Sequence, residues 1–146
     1  MLKALSVRQP WAWLIFIHKD VENRTWATEH RGPTLIHAAQ EIDRPAHERL
    51  MQMLHPVTGQ PTKLSLLYPP ALGRELERGG IVGVVDIHGC VTRSESEWFT
   101  GPFGFLMRHR KLLPFQRCRG MLGFFRPDIE VDLGTYGAPA EQGSLL

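Results

Sequence analysis

Gly79-Gly80-Ile81-Val82-Gly83-Val84-Val85-Asp86-Ile87-His88-Gly89-Cys90-Val91 is the stretch that decides the fold. Its β-branched run is launched by two glycines and reads as a strand. Gly83 and Gly89 inside it mark a bulge or a close approach of another chain segment. A strand of this kind needs neighbours, and they are found on both sides. Before it, residues 3–7 alternate like a first strand that stops at Arg8-Gln9-Pro10, and residues 34–39 form an apolar strand after the turn signal Arg31-Gly32-Pro33. Beyond the Gly101-Pro102 turn, residues 103–107 and 120–125 are two further strand candidates.

Few helices interrupt this pattern. Pro10 suits a helix start, and Trp11, Leu14, Ile15 and His18 then fall near one face. Residues 41–54 place Ile42, Ala46, Leu50, Met53 and Leu54 at helical intervals, with Asp43 and Pro45 as cap and first turn. The proline-containing run 55–70 reads as a surface insertion leading to another short helix through Leu72, Leu76 and Arg78. Strands outnumber helices, so the expected class is α+β, a curved mixed sheet or small barrel.

The chain has 146 residues, 42% of them hydrophobic, the size of one domain with one core. We expect that domain to span residues 1–133, with 134–146 a loosely packed tail. The net charge is only +2, from 17 Lys and Arg against 15 Asp and Glu, so the global field does not specify a nucleic-acid partner. Locally, Arg108, Arg110, Lys111, Arg117 and Arg119 form a basic strip free of acidic residues, readable as a binding face or as a solvated face balancing Glu95 and Glu97. Cys90 and Cys118 lack paired zinc or disulfide spacing and read as reduced core thiols. No long apolar window or leader pattern is found, so a cytoplasmic protein that does not enter a membrane is expected. The seven histidines show no metal-ligand spacing and no glycine-rich phosphate loop is present, so neither metal nor cofactor is expected.

Ala4-Leu5-Ser6-Val7-Arg8-Gln9-Pro10-Trp11-Ala12, Val21-Glu22-Asn23-Arg24-Thr25-Trp26 and Arg31-Gly32-Pro33-Thr34-Leu35-Ile36-His37-Ala38-Ala39 together resemble the ASCH family. Gly80-Ile81-Val82-Gly83-Val84-Val85-Asp86, Gly101-Pro102-Phe103-Gly104-Phe105 and Cys118-Arg119-Gly120-Met121-Leu122-Gly123-Phe124-Phe125 follow in the family's order, so the likeness covers about residues 2–127. It implies a small PUA-like mixed β-barrel with helices packed at its ends and a cleft beside the first helix. It also implies RNA binding or RNA-linked regulation, and some relatives resemble hydrolases that cleave RNA or deacylate a modified cytidine. Fold alone does not choose among these.

The residues narrow the choice. Arg8, Gln9 and Trp11 sit at a strand-to-helix junction, where free helix amides attract an anion. Lys19-x-x-Glu22-x-Arg24, on an extended segment, sets two cations beside one carboxylate. They can bind a phosphate while Glu22 accepts from a base amino group, or Lys19 and Glu22 can act as charge stabiliser and general base of a hydrolase. A salt-bridge network that only fixes the turn is the third reading. In the deacylating relatives the motif reads Lys-x-x-Thr-x-Arg with threonine as nucleophile. Glu22 stands there in this chain, and Thr25 is expected to point to the opposite face. Trp26 and Trp98 are candidate platforms for a stacked base, Trp98 being placed near the surface by the polar Ser94-Glu95-Ser96-Glu97 before it.

The leading expectation is therefore binding of RNA or another single-stranded nucleic acid, or of a nucleobase-bearing small molecule, through Arg8, Gln9, Trp11, Lys19, Glu22, Arg24, Trp26, Trp98, Arg108, Arg110 and Lys111. The rivals are a metal-independent hydrolase of RNA or acylated cytidine, and a protein-interaction module.

Overall fold

A computed structural model describes residues 1–136. Of the expected loose tail, residues 137–146 lie outside the described residues. The elements run β1 (Ala4–Gln9), α1 (Trp11–Ile15), β2 (Val21–Arg24), β3 (Gly32–Ile42), α2 (Arg44–Met51), β4 (Gly80–Val91), β5 (Phe103–Arg117) and β6 (Phe124–Phe125). They form one six-stranded mixed sheet in the order β2-β5-β4-β3-β1-β6, in which β1 and β3 are parallel and the other neighbours antiparallel.

β4 lies inside the sheet, between β5 and β3, in keeping with the central strand of the family it resembles. Gly80 to Val85 are all buried, and β4 pairs with β3 on one side and β5 on the other. The main core lies on one face of the sheet, where Leu5, Val7, Ile36, Ala38, Val85, Ile87 and Phe105 meet Ala12 and Ile15 of α1. Gly83 is needed there. A Cβ on it would lie 2.3 Å from the Phe16 ring, so the close approach read from the sequence is made by the turn after α1. A second cluster covers the other face through Ala4, Leu35, Ile81, Val84, Cys118 and Phe125. Burial raises the thiol pKa of Cys118, with the Asp128 charge adding to it, which suits an inert core cysteine.

Three expectations need correction. The helix expected over 41–54 is Arg44–Met51, capped by Asp43, whose Oδ1 accepts from the Ala46 N–H at 3.2 Å. The helix expected through Leu72, Leu76 and Arg78 is replaced by 3-10 turns at Leu64–Leu66 and Pro69–Leu72, the second ended by left-handed Gly73. The strand expected over 120–125 shrinks to Phe124–Phe125, because Gly120 to Leu122 form an exposed loop with Leu122 wholly open. The basic strip is chiefly the second half of β5, a 15-residue strand. Among the described residues no helix is long and apolar enough to cross a membrane.

The sheet curls without closing. β2 ends one side of the strand order, and near the other end β6 covers only Ala4 and Leu5 of β1. Past Leu5 the edge of β1 faces the edge of β2 across an open seam. The bond across it comes from a side chain: Arg24 Nη2 donates to the Ser6 carbonyl at 2.8 Å.

Candidate functional site

The seam holds a cavity of about 530 Å³. Ser6, Val7 and Arg8 border it from β1, and Glu22, Asn23 and Arg24 from β2. Trp11 and Lys19 come from the connection between these strands, and Thr25 and Trp26 from the chain after β2. Arg49 of α2, Pro56, Val57 and Thr100 complete the wall.

Its floor is a charge cluster that the local sequence dictates. The turn after α1 returns the Lys19 N–H to the Leu14 carbonyl at 2.8 Å and buries Lys19 to 1% exposure. Lys19 Nζ donates to Glu22 Oε1 at 2.6 Å and lies 5.6 Å from the centre of the Trp11 ring. Glu22, 7% exposed, accepts at Oε2 from Arg24 Nε and Nη2, at 3.2 and 3.0 Å. Burial alone pushes the Glu22 carboxyl up. The Lys19 and Arg24 charges and their hydrogen bonds together outweigh it, and hold the group below the usual carboxylate range. Glu22 is therefore ionised at neutral pH, and one carboxylate serves two cations.

With Arg8 and Arg49, four cations and one carboxylate border the cavity, a surplus of three positive charges. Arg8 is largely exposed, 3.7 Å from Asp43. Arg49 Nη1 donates to the Pro56 carbonyl at 2.6 Å, which ties the insertion into the wall. Asp43 also accepts from Trp11 Nε1 at 2.9 Å and so fixes that ring. Trp26 is half-buried and packs edge-on to Phe105 and Phe124, with ring centres 5.2 and 5.5 Å away.

Of the residues singled out in the sequence, Arg8, Trp11, Lys19, Glu22, Arg24 and Trp26 are brought together here. The other five are not. Gln9 is 3% exposed and already engaged: its Oε1 accepts from the Trp13 N–H at 2.8 Å, occupying an amide expected to be free for an anion, and its Nε2 donates to the Glu77 carbonyl. Trp98, expected near the surface, is 1% exposed. Its ring centre lies 4.1 Å from that of His55, the planes tilted by 36°, and its Nε1 donates to His18 Nδ1, because the insertion folds over it. Arg108 pairs with Asp86 at 2.8 Å, Arg110 donates to the Lys19 carbonyl from behind the floor, and Lys111 donates to Thr135 Oγ1. A bulge around His109, which has φ of +50°, breaks the strip's alternation, so the strip does not form one wall of the cavity. Thr25 borders the cavity with Glu22 and Arg24, since the chain bends immediately after Arg24 and the extended alternation ends.

Arg49, Thr100, Pro56 and Val57 had no signal in the sequence beyond Arg49 being basic in the last turn of α2. Asn23 had one in hindsight. Its side chain donates to the Trp98 carbonyl and accepts from the Thr100 and Gly101 N–H groups, which holds Thr100 at the cavity. Among the described residues no three His, Cys, Asp or Glu side chains are grouped to hold a metal.

A mixed half-barrel with a cation-floored cleft in its seam defines a small α+β domain of the PUA-like class. The family model for the ASCH domain matches residues 5–111, most of the chain, and the protein belongs to that family. The family is one associated with RNA binding. No curated protein matches the chain.

Proposed function

We propose that the seam cleft binds single-stranded RNA, with phosphates on its cations and one base against Trp11 or Trp26. The observation that carries this is the charge surplus: Lys19 and Arg24 share one buried carboxylate, and Arg8 and Arg49 stand at the same cavity. A surplus of this kind favours a polyanion, whose phosphates release counterions on binding. The volume suits one nucleotide unit, within the roughly 300–1,000 Å³ typical of ligand pockets.

A hydrolase using Glu22 as base is less well supported. A general base works best with a pKa near the operating pH. Glu22 is shifted the other way, and both its oxygens already accept hydrogen bonds.

The test is fluorescence anisotropy with labelled single-stranded RNA over a range of salt. Arg8→Ala and Arg49→Ala should each weaken binding and lower the salt slope by about one, while Arg74→Ala, outside the cavity, leaves both unchanged. Salt-independent binding, or equal binding by all three variants, would overturn the proposal.

A further inference from the structure

Ser6, Val7 and Arg8 all border the cavity, yet they are consecutive residues of one strand. Side chains alternate across a strand, and the Val7 side chain belongs to the main core. What these three residues present in common is the edge of the strand, its main chain.

The hydrogen bonding of β1 shows which groups those are. The Lys3 carbonyl accepts from the Leu35 N–H, and the Gln9 carbonyl from the Asp43 N–H, at 2.9 and 2.7 Å, so the odd-numbered residues of β1 bond toward β3. The even-numbered residues point the other way. Ala4 meets Phe125 of β6, and the Ser6 carbonyl takes Arg24 across the seam. Arg8 is next in this series: the register with β3 shifts between Val7 and Gln9, but the Gln9 carbonyl beyond the shift still bonds toward β3, so the alternation holds across Arg8. β6 ends opposite Leu5, so the N–H and C=O of Arg8 face the seam with no partner among the described residues.

We infer that the Arg8 main-chain pair reads the Watson–Crick edge of an unpaired base, holding it by one donated and one accepted hydrogen bond whatever the base. This rests on the binding reading above and specifies it. An N–H and a C=O on one extended residue are adjacent and point the same way. Adenine and cytosine answer with a ring nitrogen and an amino group, uracil and guanine with a carbonyl and an imino N–H, the base turning over between the two cases. A duplex has no such edge to offer, since its own pairing uses it. The cleft is thus selective for unpaired bases and tolerant of their identity.

The experiment uses the full chain and labelled oligonucleotides of roughly ten residues. Oligouridine, oligocytidine and oligoadenosine should bind within about threefold of one another, and oligo-N3-methyluridine, of the same charge but lacking the imino N–H, about tenfold more weakly than oligouridine. Arg8→Ala, which keeps both main-chain groups, should retain that discrimination, and Arg8→Pro, which removes the N–H that donates to the base, should bind oligouridine about tenfold more weakly than Arg8→Ala; equal binding by the two folded variants would overturn the inference. Methylated and unmethylated oligouridine binding alike would overturn the inference and leave the phosphate-binding reading standing. No binding by any oligonucleotide would overturn both. The methylated-ligand comparison uses the unaltered protein, so it decides even where Arg8→Pro fails to fold.

Discussion

Replacing Lys19 by methionine keeps the length of the side chain and removes its charge, so it isolates the buried pair with Glu22. Lys19 Nζ is 2.6 Å from Glu22 Oε1 and both residues are buried. Removing one partner of such a pair costs about 3–5 kcal/mol, because the other charge is left buried. Arg24 still makes two hydrogen bonds to Glu22 Oε2, which places the expected cost at the lower end, about 3 kcal/mol. Loss of the contact between Lys19 and the Trp11 ring adds roughly 0.5–1 kcal/mol. In urea, with a slope of about 2 kcal/mol/M, the midpoint falls by about 1.75–2 M. Lys19→Met with Glu22→Gln should be less destabilised than the sum of the single changes by more than about 1 kcal/mol. The acid limb adds a check. The pKa of Glu22 is lowered in the folded state, so its stabilisation is full above the unfolded value of 4.5 and fades as pH falls through the folded value. In Lys19→Met the lowering by Lys19 is lost, so the cost of the change is full at neutral pH and shrinks as pH falls below 4.5. A single-variant cost under about 1 kcal/mol would refute the reasoning, since it is what a solvated surface pair gives.

Two further predictions test the scaffold. Trp98→Ala should lower stability by about 3–5 kcal/mol in urea denaturation, while the RNA affinity of the folded protein stays within about threefold, because the ring is enclosed with His55 and does not border the cleft. A large affinity loss without destabilisation would return Trp98 to the site. Gly83→Ala should cost about 1–3 kcal/mol, as its Cβ meets the Phe16 ring at 2.3 Å and the Lys111 carbonyl at 2.7 Å. An unchanged melting temperature would mean that Phe16 moves aside freely.

The fold was legible where burial and composition agree. β4 carries its β-branched run through the centre of the sheet, and Asp43 with Pro45 marks the start of α2. It was misread where an apolar stretch is not buried. Met121 and Leu122 suggested a strand, yet they are exposed in the loop before β6. The site was legible where its residues are close in sequence: Lys19, Glu22 and Arg24 meet because a turn and four residues of strand place them together. Arg49 and Val57 reach the same cavity through the packing of α2 and the insertion, which no local pattern encodes. Trp98 failed for the converse reason. Its polar neighbours are exposed while the ring is covered by His55, 43 positions earlier.

The floor of the cleft bears on why the half-barrel stays open. A buried ion cluster is a poor choice for stability alone, since apolar side chains of the same volume in its place are often neutral or stabilising. Lys19, Glu22 and Arg24 occupy a place where apolar side chains could seal β1 against β2. The charged solution leaves Arg24 spanning the gap by one hydrogen bond to Ser6, and leaves the Arg8 main chain uncovered. Both features serve a ligand that brings negative charge and a flat hydrogen-bonding edge, and neither improves the packing of the core. The same logic predicts the behaviour of a sealed variant. Lys19→Met, Glu22→Leu and Arg24→Leu together should fold with stability close to or above that of the natural chain, within about 2 kcal/mol by urea denaturation. They should also abolish salt-sensitive RNA binding. A sealed variant that folds and still binds RNA with the natural salt slope would move the binding surface away from the seam.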